Sequence, residues 1–388
     1  MAIEVVAISG KSGLKEFVEF PHSIYANDPH WVPPLHIAVK ELLDREKHPF
    51  YKNAEAEFFV ARRDGRTVGR IGAIIDCGHN QFHEEKAGFF GFFESIDDPA
   101  VAKALLDTAR KWVSDRGAEF LRGPCNPSMN YECGLLVEGF DSSPMVMMTY
   151  NPRYYPKLIE QAGFQKVKDL YSFVNSADGV DLQKIGRVAD RALKRHKVTV
   201  RPINVKDFNN EVARVFDVYN AAWTKNWGFV PMTKDEFFLM GKEMKQILKP
   251  EMVLIGETGG NATDRTQSRI IGFALALPDV NVALKPANGR LLPTGLLKIL
   301  YYQRKIRAVR VLALGVVEEY RATGVAAGFY AMLVRNARKL GYDQECEMSW
   351  ILEDNVLMTR SLELMGARRT KTYRLYESSV TSGKTSGN

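Results

Sequence analysis

Apolar and polar positions along this chain switch between two periods, and the switches outline its elements. A valine-rich run over 309–317 reads as a buried strand, and a turn holding Arg321 and Gly324 follows it. From 325 to 340 the apolar positions recur at helical spacing. A further strand is expected over 345–351, then a short helix opened by Asp354-Asn355 and stopped at Met365-Gly366. Strands over 57–61 and 67–75 flank Asp64-Gly65, which predicts a hairpin. Runs over 252–257 and 269–277, separated by a polar loop, predict another. A strand over 87–93 precedes a helix over 99–116, with Asp98 as N-cap, Pro99 at the first helical position and Gly117 as the stop.

These elements fall into two copies of one plan. Leu158 to Phe164 is a helix end stopped by Gly163 before a strand, and Leu362 to Ala367 repeats it around Gly366, 203 residues later. The two hairpins, the strands 87–93 and 309–317, and the helices 99–116 and 325–340 match in order. Two α/β domains follow, residues 1–175 and 196–377, joined by a charged linker helix over 176–195, with a Ser/Gly/Thr-rich disordered tail over 378–388. A length of 388 residues agrees with two cores.

The copies differ after the strand. The first runs Glu94-Ser95-Ile96-Asp97-Asp98-Pro99, with two carboxylates and a proline where a helix would otherwise offer free amides. The second runs Gly315 to Ala326, and a glycine turn opening a helix is an anion site, because the first amides lack acceptors and the dipole there is positive. Arg321-x-x-Gly324-x-Ala326 after a strand resembles the acyl-CoA-binding signature of the GNAT superfamily of N-acyltransferases, and the likeness extends loosely over 198–376. It implies tandem GNAT-like domains, each a mixed, mostly antiparallel sheet flanked by helices, with only the second active. It also implies acyl-CoA as cosubstrate, held by Val316, Val317, Arg321, Ala322, Thr323, Gly324, Val325 and Ala326, with Asn355 beside it. The implied reaction is direct attack of an amine on the thioester. Many family members carry a tyrosine acid seven positions after the Asn; here that position is Leu362.

The candidates for proton transfer are Glu347 and Asp279, with Glu318 nearer the loop; each is also readable as a structural or solvated carboxylate. Residues 122–134 form a loop dense in Asn, Pro and Gly. In it Asn126, Asn130 and Glu132, with the later Tyr150, are candidates for acceptor recognition or chemistry. Asx-turns stiffened by proline explain the same composition. Trp223 and Trp227 follow the second domain's first helix, where the family covers its acceptor; a buried aromatic corner is the plainer reading.

The net charge of +7 favours anionic partners without choosing among them. Residues 287–310 set Arg290, Lys298, Arg304, Lys305, Arg307 and Arg310 among leucines and tyrosines with no acidic residue. Such a segment either packs on its own domain or lies on an anionic membrane. The second possibility keeps a lipid-like acceptor open, such as a long-chain base, for which GNAT-like bacterial ceramide synthases are a precedent. A silent CoA-binding module is the competing reading; nucleic acid is not expected as a partner. No apolar run reaches membrane-spanning length, and Met1-Ala2-Ile3-Glu4 does not open a signal peptide, so a cytoplasmic or peripheral inner-membrane location is expected. Cys77, Cys125, Cys133 and Cys346 show no CxxC pairing, and the 125/133 pair reads as small core residues. His79 and His83, four apart, read as an exposed pair rather than a metal site, and no metal is expected. The oligomeric state stays open.

Overall fold

Both hairpins close as the periodicity predicts, and each becomes the middle of a mixed sheet. The computed structural model describes residues 2–176, 179–259 and 268–380. The chain divides into two compact units: residues 1–170, 283–300 and 371–388 form the first, and residues 171–282 and 301–370 the second. They are discontinuous, unlike the contiguous spans expected from the repeat. The division falls inside the strands Gln165–Asn175 and Arg368–Ser379.

In the first unit β1 (Ile3–Ala7), β2 (Ala54–Arg63), β3 (Arg66–Asp76) and β4 (Ala87–Ser95) pair antiparallel in that order, and β5 (Phe120–Gly123) joins β4 in parallel. The helix α1 (Pro99–Ser114) makes the crossover. Its Val101, Ala102, Leu105, Leu106, Ala109 and Val113 are fully buried against Ile71, Phe90 and Leu121. Each large aliphatic side chain so buried contributes roughly 1.5–3 kcal/mol. The chain's last strand pairs antiparallel with β5, placing Tyr376 opposite Gly123 and Ser379 opposite Phe120. Ser378 and Ser379 therefore belong to a strand and not to the expected tail. Residues 381–388 of that tail, and 260–267 of the expected polar loop, lie outside the described residues.

The second unit repeats the plan. It includes α2 (Leu182–His196), the expected linker helix, capped by Asp181 Oδ1, which accepts from the amides of Gln183 and Lys184 at 3.0 Å. Then come β6 (Val198–Pro202), α3 (Phe208–Trp223), β7 (Val253–Thr258), β8 (Arg269–Pro278), β9 (Ala308–Val316), α4 (Val325–Leu340), β10 (Glu345–Leu352) and α5 (Val356–Leu364). The order β6-β7-β8-β9-β10 is antiparallel until the last pair, which is parallel. Alternation sorts the side chains of β7: Leu254 packs with Phe329 and Leu333 of α4, while Val253 and Ile255 pack with Val212 and Val215 of α3. Helices thus cover both faces.

Candidate active site

Strand β9 and its parallel neighbour hold the centre of the site. Their pairing runs from Ala308↔Glu345 to Val311↔Met348 and stops there, although β9 continues to Val316 and β10 to Leu352. The strands part above that last pair. On its other side β9 slips register against β8: Val311 and Ala313 have partners and Leu312 has none. That bulge turns the strand at the apex of the opening.

Above the opening, Val316 leads through a 3-10 turn, Glu318–Thr323, into Gly324 and α4. Gly324 has φ +83, a left-handed conformation costly for any residue with a Cβ. A Cβ there would also lie 3.3 Å from Cβ of Ala192 on α2. Gly324 makes no side-chain cap, so the positive end of α4 carries no carboxylate of its own. Some loop groups are engaged within the protein: the Val317 amide donates to Ile271 O at 2.9 Å, and Arg321 donates to Val316 O at 3.2 Å and Ala222 O at 2.5 Å. Arg321 thereby ties the end of β9 to the end of α3. The Val325 amide reaches only Thr323 Oγ1, at 3.4 Å, a weak bond that a better acceptor displaces. Thr323 Oγ1 itself donates to Tyr320 O at 2.7 Å.

Trp223 lies under this strand end. A Cβ on Gly315 would fall 2.2 Å from the Trp223 ring, so glycine is required there. Trp223 also packs on Tyr219 and Phe273, with ring centroids 5.3 and 5.5 Å away, and is half-buried. Trp227 is half-buried nearby in the chain, so the region is an aromatic corner beside the strand end. Asn355 caps α5, its Oδ1 accepting from the Met358 amide at 3.2 Å. Leu362 is fully buried in the core.

The apex has two chemically opposite faces. Val309, Val311, Cys346 and Met348 line a small apolar cavity of about 50 Å³ with Tyr330, Leu333 and Ala337 of α4. Burial pushes the Cys346 thiol up to about 12, so it stays protonated. The intervening positions, Arg310 and Glu347, are register partners and share the other face. Arg310 is 1% exposed, donates to Ser349 Oγ at 2.8 Å and lies 4.9 Å from the Trp350 ring centroid. Sequence reading grouped this arginine with the basic surface segment; it is instead interior. Glu347 is 2% exposed, and its Oε1 has no hydrogen-bond partner among the described residues. Asp279, buried, stands two residues beyond Leu277, the other register partner of Arg310. Glu347 thus stands in register with Arg310, an arginine that the sequence did not single out as interior, while Asp279 is buried just past the end of β8. Glu318, by contrast, is exposed and paired with Lys225 at 2.7 Å.

The first unit's candidates form their own cluster. Asn126 and Glu132 face each other in a short two-stranded ladder, and Asn126 Oδ1 accepts from the Phe92 amide at 2.6 Å. The Asn130 amide donates to Ser128 Oγ at 3.2 Å, the local turn chemistry of the plainer reading. Tyr150 donates to the Asp28 carboxylate at 2.9 Å, and burial, then Asp28, raises its phenol. Cys125 and Cys133 are buried and form no disulfide. His79 departs from expectation: it is 1% exposed, its ring lies 4.4 Å from that of His83, and its Nε2 meets Glu85 at 3.3 Å. Among the described residues no group of three or more His, Cys, Asp or Glu is placed to hold a metal, and no helix is long and apolar enough to cross a membrane.

A mixed sheet whose parallel pair parts at a bulge, backed by a glycine-started helix and repeated along one chain, is the tandem GNAT fold. A tandem GNAT protein from the clavulanic acid biosynthesis pathway is similar over 99% of this chain and all of its own, with a TM-score of 0.56 at 11% identity. A GCN5-related N-acetyltransferase from Sphaerobacter thermophilus is similar over 98% of this chain and 96% of its own, with a TM-score of 0.50 at 14% identity. No family model matches the chain. Among curated proteins it is 36% identical over 376 residues to Protein YghO of Escherichia coli (strain K12), covering 95% of this chain and 94% of that protein. It is 34% identical over 388 residues to a protein named bacterial ceramide synthase from Caulobacter vibrioides, covering 97% and 98%. The chain belongs to the family of these two bacterial proteins, and it has the tandem GNAT fold.

Proposed function

We propose that the chain is an acyl-CoA-dependent N-acyltransferase whose acceptor is a lipid-like amine such as a long-chain base. The observation that carries the transferase reading is the parting of β9 and β10 at Val311↔Met348, below a helix opened by left-handed Gly324. A pyrophosphate seats at the start of α4, and the thioester arm descends between the strands toward the bulge at Leu312. From Val316 to Val311 that is about 17 Å of strand. The acceptor chemistry rests on the name of the Caulobacter relative.

Glu347 has the right form for the base. Its carboxylate sits one residue below the apex, is shielded from water, and has an oxygen with no hydrogen bond among the described residues, an arrangement that costs energy unless a donor arrives. In the reaction the amine nitrogen attacks the thioester carbonyl, Glu347 takes the amine proton, and the C–S bond breaks to release CoA as a thiolate. A catalytically silent CoA-binding module is the second reading, favoured by buried Leu362 where many superfamily members place a tyrosine acid.

Mass-spectrometric product formation separates the readings. The full chain is incubated with acetyl-CoA or palmitoyl-CoA and with a long-chain base or a set of small amines. An N-acyl long-chain base is the expected product. CoA binding without amide formation from any amine would leave the silent module standing, and acylation of small amines alone would remove the lipid acceptor.

A further inference from the structure

The basic and apolar segment does not bury its apolar face. Leu292, Leu296, Leu297, Leu300 and Tyr301 are 77%, 48%, 68%, 48% and 58% exposed. Four of them stand at i, i+1, i+4 and i+5 on the helix Gly295–Tyr302, one continuous stripe. Lys298, Arg304 and Lys305 are exposed along the same segment. Lys305 lies over the rings of Tyr301 and Tyr302, at 4.9 and 4.8 Å. Among the described residues no acidic side chain pairs with these three cations, and residues 280–317 contain no Asp or Glu.

The base of the segment is pinned, so the stripe is held outward. Within the first unit Lys285 donates to Pro29 O and, at 3.1 Å, to Ser143 Oγ. Gly289 O accepts from the His36 amide at 2.9 Å, and Arg290 meets Glu19 at 3.6 Å. Residues 293–302 are thus presented on a fixed footing.

We propose that this helix is a membrane-docking element that lies in the interface of an anionic bilayer, leucines down and cations at the headgroups. Charge selects the occupant. A second copy meeting this stripe face to face would set the same three cations against their own images, which repel. Nucleic acid would satisfy the cations but give the leucines nothing. An anionic bilayer satisfies both, because apolar side chains enter the acyl boundary while each nearby Lys or Arg adds attraction. The inference stands on exposure and charge alone and does not require acyl transfer.

Co-sedimentation of the full chain with vesicles tests it. Phosphatidylcholine alone is compared with phosphatidylcholine mixed with phosphatidylglycerol, for the native chain, Leu296→Ser/Leu297→Ser, and Lys298→Glu/Arg304→Glu/Lys305→Glu. The native chain is expected on the anionic vesicles only. The leucine variant should bind at least tenfold more weakly, and the charge variant about fivefold more weakly per cation removed. All replaced side chains are exposed, so unchanged melting temperatures serve as the folding control. The proposal is overturned if the native chain ignores anionic vesicles. It is equally overturned if the leucine variant binds them as well as the native chain, which would mean adsorption without insertion. A native dimer that the leucine variant converts to monomer, with no vesicle binding, would assign the stripe to self-association instead.

Discussion

The two units share a parallel strand pair with a bulge beside its open end, and they treat the opening in contrary ways. In the first, β4–β5 pairing ends at Phe89↔Arg122 while β4 runs on to Ser95. Phe92, at φ +51, marks the bulge, and its amide is taken by Asn126 of the same unit. The helix that follows is started by Asp98, whose carboxylate accepts from the Ala100 amide at 2.8 Å and from Arg63 at 2.7 Å. The first unit therefore supplies its own carbonyl and its own anion. In the second, the bulge is followed by a helix start with no carboxylate cap, where Thr323 Oγ1 meets the first amide only weakly, at 3.4 Å. The same backbone thus has its donors satisfied internally in one unit and left uncapped by any carboxylate in the other.

The buried charges repeat the contrast. At the parallel pair of the first unit, Arg122 meets Glu85 at 3.1 Å and Glu377 at 2.8 Å. At the parallel pair of the second, Glu347 retains an oxygen with no partner among the described residues. A buried carboxylate left incomplete is tolerated where function uses it.

The sharpest way to break this comparison is to give the second unit the first unit's anion. Gly324→Glu places a carboxylate at the start of α4 and forces a side chain onto a left-handed residue 3.3 Å from Ala192 Cβ. Isothermal calorimetry with acyl-CoA should show affinity reduced beyond detection, with strain of about 1–2 kcal/mol in the melting curve. Affinity equal to the native chain would place the cofactor elsewhere.

Next in size is Glu347→Gln, which keeps the shape of the buried side chain and removes its basicity. The expected loss is about a hundredfold or more in kcat, within the usual range for a positioned base. Acyl-CoA affinity and the melting temperature should stay put. A variant that lost affinity and stability along with turnover would make Glu347 a structural residue.

Much of this was legible in the sequence where a local signal had one physical meaning. The helix starts at Asp98-Pro99 and after Gly324 were readable because caps and left-handed glycines are local requirements. The Asp98 carboxylate at the start of the first unit's helix followed in the same way. What could not be read depends on the other side of a contact. Leu296, Leu297 and Leu300 have the pattern of a packed helix, and only the fold shows that nothing covers them. Arg310 continues a basic run, yet strand pairing carries it inside beside Glu347. Asn126 looked like either a turn residue or a recognition residue, and its bond to Phe92 required a neighbour 34 positions away. The last strand pairs with β5, a partner more than 240 positions distant, so two serines that read as tail became strand.

A smaller effect tests the electrostatics of the first unit's parallel pair. Burial pushes His79 down to about 4, against an ordinary value near 6.5. Between these values the unfolded chain takes up a proton that the folded chain refuses. Stability should therefore be complete above pH 6.5 and fall as the pH drops toward 4, by about 1–3 kcal/mol. His79→Phe, which can pack against Phe89 whose ring lies 4.8 Å away, should remove this part of the slope in denaturant titrations across that range. An unchanged slope would assign the acid sensitivity to other groups.

The smallest effect is the most specific to the comparison. Asp98→Ala uncaps α1 and frees Arg63, so it should cost about 1 kcal/mol of stability from the cap. It also turns the first unit's helix start into an uncapped one, electrostatically closer to that of α4. If the open helix start were sufficient for binding, the variant would gain a second acyl-CoA site in calorimetry. The stoichiometry should instead remain one, because Asn126 still occupies the Phe92 amide and Pro99 still removes a donor from the first turn. A stoichiometry of two would show that Asp98 alone keeps the first unit silent.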